Sequence, residues 1–354
     1  MYFRSLMNQV DTLIVGFGLA GLAYAETLRQ HHQSFHIIDQ AKGGSSVIAA
    51  GIYNPTVLKR FNMTWKGEEL HTAALPFYKA LEKRLSKQFI YPYPILKLFT
   101  QTADHNQWSV ASDRDGMSKF LDPKINKDVL KGIRSPLGYA KVNLCGRVDT
   151  TALIQAYAAS ISTHITQTSF DHSKMKVLSS QINYEDITAK RVVFCEGYAM
   201  VDNPFFNQLP LVGSKGQILI INVPEFRLES ILKGPIFIAP LGNDKHWAGA
   251  SFEQDDKSLS ITKEGAQWLK DKIDRMIKVP YTVEKHITHI RPTVKDRRPL
   301  LGTHDQYLNV HLLNGMGSRG VLTAPTAAKW LFNHIEGKEN LPKEVDINRF
   351  EKIG

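Results

Sequence analysis

Two Gly-x-Gly-x-x-Gly loops stand near opposite ends of this 354-residue chain, at residues 16–21 and 315–320. Each loop lies between an apolar, strand-like run and a helix-like run, a setting in which backbone amides at a strand end can bind a ligand. One such match is weak in a chain with 24 glycines. Two matches in the same strand–loop–helix setting are not easily accidental, and they favour an α/β fold.

The N-terminal loop, Gly16-Phe-Gly-Leu-Ala-Gly21, has the spacing of a dinucleotide-binding fingerprint. Residues 11–15 predict a buried strand, residues 19–30 an Ala/Leu-rich helix, and residues 34–38 a second strand. Asp39 follows Gly21 by 18 residues, close to the roughly 20 expected for a carboxylate that accepts ribose hydroxyls. The predicted nucleotide contacts are Gly16, Gly18, Leu19, Ala20, Gly21, Asp39 and Gln40. The alternative is a plain tight turn into a helix.

The C-terminal loop needs a different interpretation, because only 34 residues follow Gly320 and they cannot supply a second dinucleotide-binding half. A strand over 310–314 and a helix over 324–335 would aim loop amides and a helix dipole at an electron-rich group. Thr323 is predicted to cap that helix, with Pro325 in its first turn. The alternative is that these glycines only permit tight packing of helix on sheet.

Length and composition indicate a soluble enzyme of about two domains. No run of about 18 apolar residues is present, and the N-terminus lacks the apolar core of a signal peptide, so we expect a cytoplasmic protein that does not cross a membrane. The two cysteines agree with a reducing compartment, and Cys195 lies in an apolar run typical of a core.

The net charge of +10 would favour acidic partners such as nucleic acids or carboxylate substrates. Its lysines and arginines are scattered among acids, however, which favours a solvated basic surface. The histidines have no spacing typical of a metal site, so no metal is expected, and Gly-x-Ser-x-Gly is absent.

The remaining pattern predicts two interleaved domains. Residues near the termini and at 141–200 have the alternating strand and helix pattern of an α/β domain, whereas 88–112 and 211–255 are typical of antiparallel strands. Prolines 92 and 94 would put the first of these strands at a sheet edge. The predicted nucleotide domain comprises 8–85, 141–210 and 286–354, and the predicted substrate domain comprises 86–140 and 211–285.

Several motifs in order along the chain resemble the D-amino-acid oxidase/glycine oxidase family of FAD-dependent amine oxidoreductases. The resemblance covers nearly the whole chain. The motifs are the first glycine loop with Asp39, Gly44-Ser-Ser-Val-Ile-Ala-Ala-Gly51, Gly146-Arg-Val-Asp-Thr150, Val192-Val-Phe-Cys-Glu-Gly197, Lys215-Gly-Gln217, Ile290-Arg-Pro292, Arg298-Pro-Leu-Leu-Gly302, Asn314-Gly-Met-Gly-Ser-Arg-Gly320 and Leu322-Thr-Ala-Pro325.

The resemblance implies a Rossmann-type FAD-binding domain of the glutathione-reductase type, with an interleaved antiparallel-sheet substrate domain. It implies FAD as the cofactor, with the second glycine loop beside the isoalloxazine ring, where amides and a helix dipole would stabilise the negative charge of the reduced ring. The further FAD contacts it implies are Ser45, Ser46, Gly51, Gly197, Gly315, Gly317, Ser318, Arg319 and Gly320.

Arg291 matches the family's arginine that binds a substrate carboxylate, a role suited to its planar fork of donors. The alternative is an ion pair with a structural acid such as Asp296. Glycine oxidase-like members place a second substrate arginine where this chain has Ser318, with Arg319 one position later, so small amino acids as substrates stay open. Phe252 aligns with a substrate-side position but is predicted to be a core aromatic.

Three functions follow from these observations. The favoured one is FAD-dependent oxidation of a small amine or amino acid, with the flavin accepting a hydride from the substrate. The second is modification of a wobble-uridine side chain in tRNA, an activity of one member of the resembled family that the basic composition keeps open. The third is a flavin-binding protein without turnover.

Overall fold

Two eight-stranded sheets organise the residues that the structure, a computed structural model, describes: 8–41, 43–224 and 226–350. The helices in these ranges are α1 Leu19–Gln30, α2 Ser45–Ile48, α3 Gly67–Leu85, α4 Ala103–Ser112, α5 Thr150–Ser160, α6 Lys263–Asp274 and α7 Gly320–Ile335. None of them combines the length and the apolar character that a bilayer-spanning helix needs.

The strands are numbered along the chain. They are β1 Asn8–Val15, β2 Phe35–Asp39, β3 Ile52–Tyr53, β4 Thr56–Val57, β5 Asn62–Met63, β6 Ile90–Tyr91, β7 Ile95–Leu98, β8 Leu121–Asn126, β9 Tyr139–Val142, β10 Gly146–Val148, β11 Ile165–Gln167, β12 Met175–Val177, β13 Ile182–Tyr184, β14 Ile187–Phe194, β15 Ser214–Asn222, β16 Ile231–Lys233, β17 Phe237–Gly242, β18 Lys245–Gly249, β19 Thr282–Arg291, β20 Leu300–Thr303 and β21 Val310–Asn314.

The first sheet has a parallel centre made of β2, β1, β14 and β21, side by side in that order. The central strands are apolar almost throughout, because both faces of the sheet are covered. Helices α1, α3, α5 and α7 pack on one face, where the Ala-rich sides of α1 and α7 allow close approach. Since parallel strands end at the same edge, the loops that follow β1, β14 and β21 emerge together.

The second sheet has the strand order β19-β15-β18-β17-β16-β7-β9-β8. Helix α6 covers one face through Leu269 and Ile273, which pack against Leu219 and neighbouring strand residues. The opposite face turns toward the first sheet, since the Trp247 indole Nε1 donates to the Ile48 carbonyl in α2 at 2.8 Å. Any ligand held between the two sheets therefore meets this second face.

The predicted strand region 88–112 is only partly correct. The prolines divide it into β6, which pairs with β10 at the edge of a small sheet with β3, and β7, which lies inside the second sheet between β16 and β9. Residues 103–112 form helix α4 rather than a strand. This helix has little amphipathic pattern and is fixed by tertiary contacts, above all by the fully buried Trp108.

Two of the predicted domain boundaries fall inside strands. The boundary at 140/141 divides β9 and the one at 285/286 divides β19, although both strands belong to the second sheet over their whole length. The chain leaves the second sheet only after Arg291. A division that respects strand pairing would place both boundaries a few residues later.

Helix α7 begins at Gly320, earlier than predicted, and its N-cap residue is Arg319. Thr323 is therefore buried within the helix, and the prediction that it caps the N-terminus is wrong. Pro325 lies in the interior and cannot donate to the Val321 carbonyl, which instead accepts the buried Tyr78 hydroxyl at 2.8 Å. This substitute hydrogen bond lets the helix start directly at the glycine loop.

Candidate functional site

The two glycine loops, distant in sequence, meet at one edge of the first sheet. A side-chain carbon built on Gly320 would lie 3.5 Å from Leu19 Cδ1, so the start of α7 touches the start of α1. The end of β14 lies between them, because β14 pairs with both β1 and β21. In open α/β sheets this carboxyl edge is where ligands bind.

The glycines of the N-terminal loop have different roles. Gly16 has φ +95°, and a side-chain carbon there would lie 2.6 Å from the Cys195 carbonyl oxygen. A carbon on Gly21 would overlap the Gly16 carbonyl, so these two glycines are required by packing. Gly18 meets only the Ser46 side chain, with Oγ at 3.0 Å, and is the position that leaves the loop open to a ligand.

Asp39 lies at the end of β2, beside the first loop. Its carboxylate accepts hydrogen bonds from the Phe17 amide at 2.8 Å and from the Ala41 amide at 2.9 Å. Each carboxylate oxygen has a further lone pair, so these bonds orient the group and leave acceptor capacity for a ribose. Gln40 follows at an exposed position.

The helices that start at the two loops are not capped by their own N-cap side chains. Neither α1, with Gly18 at the N-cap, nor α7, with Arg319 there, has a hydrogen bond from that side chain or an acid in its first turn. By contrast, Asp149 caps α5 and Thr262 caps α6. The first-turn amides that no side chain binds and the positive end of the helix dipole suit an anionic or electron-rich ligand at both loops.

The segment around α2 supports the first loop. The Ser46 hydroxyl accepts from the Leu19 amide at 3.1 Å, and the Ser46 carbonyl accepts from Thr150 Oγ1 at 2.6 Å. Ser45 opens the same short helix. Gly51 has φ +72°, and a side-chain carbon there would overlap the Val148 carbonyl, so packing alone accounts for this glycine.

A buried asparagine that sequence reasoning did not assign connects the second loop to the end of β14. The Asn314 amide Nδ2 donates to the Gly197 carbonyl at 2.8 Å, and its Oδ1 accepts from the Gly315 amide at 2.8 Å. Gly197 has φ +62° with open space where a side chain would be. A polar residue ending an otherwise apolar strand just before a glycine was the available signal.

The C-terminal loop rests on the segment that leaves β19. Gly315 is crowded, because a side-chain carbon there would lie 2.7 Å from Val294 Cγ2, whereas one on Gly317 would meet only Thr293 Cγ2 at 3.7 Å. The Gly317 amide donates to the Pro292 carbonyl at 3.1 Å. Ser318 is exposed, while Arg319 is half-buried, and burial followed by the nearby Arg297 charge lowers the pKa of Arg319.

The Arg291 guanidinium is a partly buried cation at the junction of β19 and the C-terminal loop. Its Nη2 donates to the Ser251 carbonyl at 3.1 Å and its Nη1 to the Ser214 hydroxyl at 3.4 Å. Burial lowers its pKa, and no ion pair joins it to a carboxylate of the described residues. Asp296 instead pairs with Arg349 at 2.8 Å, so the alternative that Asp296 neutralises Arg291 is wrong.

Phe252 follows the Ser251 carbonyl that holds Arg291. Its side chain is 62% exposed, and the prediction of a core aromatic is therefore wrong. The neighbouring Ser251 hydroxyl accepts from the Gln217 amide and donates to Glu253. The Phe252 ring therefore remains uncovered beside the residue that holds Arg291. In the described ranges, no cluster of three or more His, Cys, Asp or Glu side chains is placed to hold a metal ion.

Fold and loops together define a dinucleotide-binding α/β protein with a second, mainly antiparallel sheet packed beside the first. The family model "FAD dependent oxidoreductase" (DAO) matches residues 11–333, and the chain belongs to this family of flavoenzymes, whose cofactor is FAD. The open position at Gly18, and the first-turn amides of α1 and α7 that no N-cap side chain binds, fit such a dinucleotide.

Solved structures share the fold at low sequence identity. Glycine oxidase from Geobacillus kaustophilus superposes with a TM-score of 0.80 at 18% identity, over 98% of this chain and 100% of that one. Iminodiacetate oxidase from Chelativorans sp. BNC1 superposes with a TM-score of 0.76 at 19% identity, over 94% and 97% of the two chains.

A curated relative of a different description is the tRNA 5-methylaminomethyl-2-thiouridine biosynthesis bifunctional protein MnmC of Marinobacter nauticus. It is 22% identical over an alignment of 363 residues including gaps, and the alignment covers 91% of this chain and 55% of that protein. The chain thus spans about half the length of this relative, and smaller shares of two other curated relatives that it matches.

Proposed function

We propose that this FAD-dependent oxidoreductase oxidises a small amine or amino acid at the C–H bond next to nitrogen, and that Arg291 binds the substrate carboxylate. The observation that carries the proposal is a partly buried guanidinium, at the junction of the second sheet and the C-terminal loop, that pairs with no acidic side chain of the described residues. A buried cation is costly unless a partner neutralises it, and a carboxylate ligand would do so. The names of the two superposed oxidases agree with this substrate class.

Each part of the site has a distinct task in this proposal. Bound FAD supplies the acceptor for a hydride. The first loop and Asp39 bind the nucleotide end. The start of α7 faces the ring, whereas the Gly315 and Gly317 amides already donate to Asn314 and Pro292. Arg291 orients the substrate through a two-pronged contact and thereby fixes which C–H bond faces the ring.

The free, buried Cys145 and Cys195 support a reducing, cytoplasmic location.

Action on a tRNA side chain is the second candidate. It is supported by the likeness to MnmC over 91% of this chain and by the net charge of +10. Phosphate contacts make nucleic-acid binding fall steeply with salt, so titration of tRNA at two salt concentrations tests it. Absence of salt-dependent tRNA binding would leave the small-molecule proposal alone.

The main experiment is a substrate screen that follows bleaching of the flavin under anaerobic conditions. At least one small amine or amino acid should reduce the flavin. If no amine does so, the proposed oxidation is wrong, and a flavin-binding role without turnover takes its place.

Variants of Arg291 test the assigned role. Arg291→Lys should weaken apparent substrate binding by about 1 to 3 kcal/mol, because an ammonium cannot reproduce the two-pronged contact. Flavin content should be unchanged. Arg349→Lys, which alters an arginine already paired with Asp296, is the matched control and should leave binding unaffected. Equal effects of the two substitutions would reduce Arg291 to a structural residue.

A further inference from the structure

One face of the second sheet carries a row of directly paired residues that crosses five strands. Ile218 in β15 pairs with Gly249 in β18, which pairs with Phe237 in β17. Phe237 pairs with Lys233 in β16, and Lys233 pairs with Lys97 in β7. Directly opposed residues on neighbouring strands project to the same face. The five positions therefore share one face of the sheet.

This face also holds the Arg291 guanidinium. Gly216 lies two residues before Ile218 in β15, so both project to the same side. A side-chain carbon on Gly216 would overlap the guanidinium, which therefore occupies the space over that glycine. It is the face turned toward the first sheet, because Trp247, two residues from Gly249 in β18, contacts α2 through its indole.

The two lysines of the row, Lys97 buried and Lys233 half-buried, have little opposing charge. Lys97 is 7% exposed, and its Nζ lies 4.0 Å from Asp104, whose carboxylate already accepts from the Thr100 amide at 2.9 Å. Lys233 Nζ donates to the Gly234 carbonyl at 2.9 Å and has no ion pair among the described residues. Burial, with the like charges of Lys97 and Lys59, lowers the pKa of Lys233 to about 8.

The geometry sets a distance between the two cationic positions. Three strand spacings of about 4.8 Å separate β15 from β16, or roughly 14 Å across the sheet. The Lys233 Nζ lies 4.7 Å from the centre of the Phe237 ring, one strand nearer to Arg291, which leaves roughly 10 Å across the strands. Gly216, over which the guanidinium lies, is two residues or roughly 7 Å along β15 from the row, so the two cations are roughly 12 Å apart. The guanidinium lies over Gly216, and the apolar Ile218 and Trp247 side chains lie over Gly249, at 2.6 Å and 2.9 Å from a side-chain carbon built there, so the interval between the two cations is apolar. A ligand with two acidic groups joined by a short carbon chain fits these conditions.

We propose that Lys233, supported by Lys97, binds a second anionic group of the substrate whose first carboxylate is bound by Arg291. The substrate class is then an amine or amino acid with two acidic groups. This inference rests on the proposed function. It explains why two neighbouring strands place a buried and a half-buried ammonium group side by side, an arrangement that costs stability without an anionic partner.

Dead-end ligands test this inference without turnover. Glutarate and butyrate carry the same three-carbon chain on one carboxylate, and glutarate has a second carboxylate at the end of that chain. Each is titrated into the FAD-loaded enzyme by calorimetry and by the change in flavin absorbance. Glutarate should bind at least ten-fold more tightly than butyrate. Lys233→Met should remove this preference and leave butyrate binding unchanged, while Lys233→Arg should retain most of it.

Controls separate a binding role from a structural one. Lys285→Met removes an exposed lysine of β19 and should not change the preference. Lys233→Met removes a half-buried cation without an acidic partner, so its thermal unfolding midpoint should be equal to or higher than that of the wild type. A glutarate preference that survives in Lys233→Met overturns the inference, as does equal binding of the two acids by the wild type.

A substrate pair separates this inference from the proposed function. Iminodiacetate and N-methylglycine are both secondary amines, and only the first has two carboxylates. Reduction of the flavin by iminodiacetate with a clear advantage over N-methylglycine, lost in Lys233→Met, supports both proposals. Equal reduction by the two amines overturns the second acidic site and keeps amine oxidation. Reduction by neither amine, nor by any other in the screen, overturns amine oxidation, while the glutarate preference still decides the anion site.

Discussion

At the N-terminal loop a side-chain carbon on Gly16 or Gly21 would collide with backbone, whereas at the C-terminal loop only Gly315 is crowded in a comparable way. Gly320, the counterpart of Gly21, has only ordinary contacts at 3.5 Å. Packing therefore explains two glycines of the first loop and one of the second. The same motif is needed for different reasons at its two occurrences.

The open positions are the informative ones. A side-chain carbon on Gly18 in the first loop, or on Gly317 or Gly320 in the second, would meet side-chain atoms only and would collide with no backbone. The first loop is completed by Asp39 from the next strand, and the second by the Arg291–Thr293 segment from the other sheet. We infer that the first loop faces the polar end of the dinucleotide and the second faces its reactive end.

The largest effect is expected for Gly21→Ala. The added carbon would overlap the Gly16 carbonyl, and α1 cannot move away from β1 without disturbing the core. We expect the free energy of unfolding in urea to fall by about 3 kcal/mol or more. A variant as stable as the wild type would show that the first loop is no more crowded than the second.

Gly18→Val should act on the cofactor rather than on the fold. Gly18 has φ −88°, which valine tolerates, and only the Ser46 side chain is near. A valine there would fill the space of the pyrophosphate, so FAD affinity should fall at least about 100-fold, or about 2.7 kcal/mol. Fluorescence titration with FAD measures this, and the unfolding midpoint of the apoprotein is the control. Unchanged FAD affinity would contradict the placement of the dinucleotide at this loop.

Acid should destabilise β21, the strand before the second loop, more than β1, the strand before the first loop. Four residues before the first glycine, β1 has the neutral Thr12 and β21 has His311, both buried. Burial, with the Arg191 charge, lowers the pKa of His311 to about 3 from an ordinary 6.5, so its contribution to stability is complete above pH 6.5 and is lost as the pH falls toward 3. The slope should reach about 1.4 kcal/mol per pH unit within that window.

The variant His311→Gln isolates this contribution, because glutamine can keep a hydrogen bond to the Thr303 hydroxyl without titrating. Urea unfolding between pH 7 and pH 4 should give a flatter profile for the variant. Parallel profiles would assign the acid sensitivity to other groups.

The smallest effect is expected for Gly320→Ala. The added carbon would make ordinary contacts with Leu19 and Met316, and alanine is favoured over glycine in a helix by up to about 1 kcal/mol. The free energy of unfolding should therefore stay equal or rise slightly, while the rate of flavin reduction by substrate falls. A loss of stability like that of Gly21→Ala would restore the packing explanation for both loops.

Local sequence signals predicted the elements around the loops well. The bounds of α1 and β21 agree with the prediction, since the 3.6-residue pattern, the apolar run and the adjacent glycines are all local. Helix α4 was missed because its stability comes from Trp108 and neighbouring aromatic rings rather than from its own pattern. The start of α7 was placed too late because Thr323 resembles a cap and Pro325 a first-turn residue.

By itself, the sequence determined the family, the FAD cofactor, the order of strand, loop and helix at each end, and Arg291 as a substrate-binding candidate. Only the tertiary structure decided that Asp296 pairs with Arg349, and that Arg291 pairs with no acid in the part of the chain that the structure describes. It also decided that Lys97 and Lys233, far apart in the chain, are neighbours on the face that holds Arg291. The physical reason is that charge compensation depends on distance in space, and strand order sets that distance independently of sequence separation.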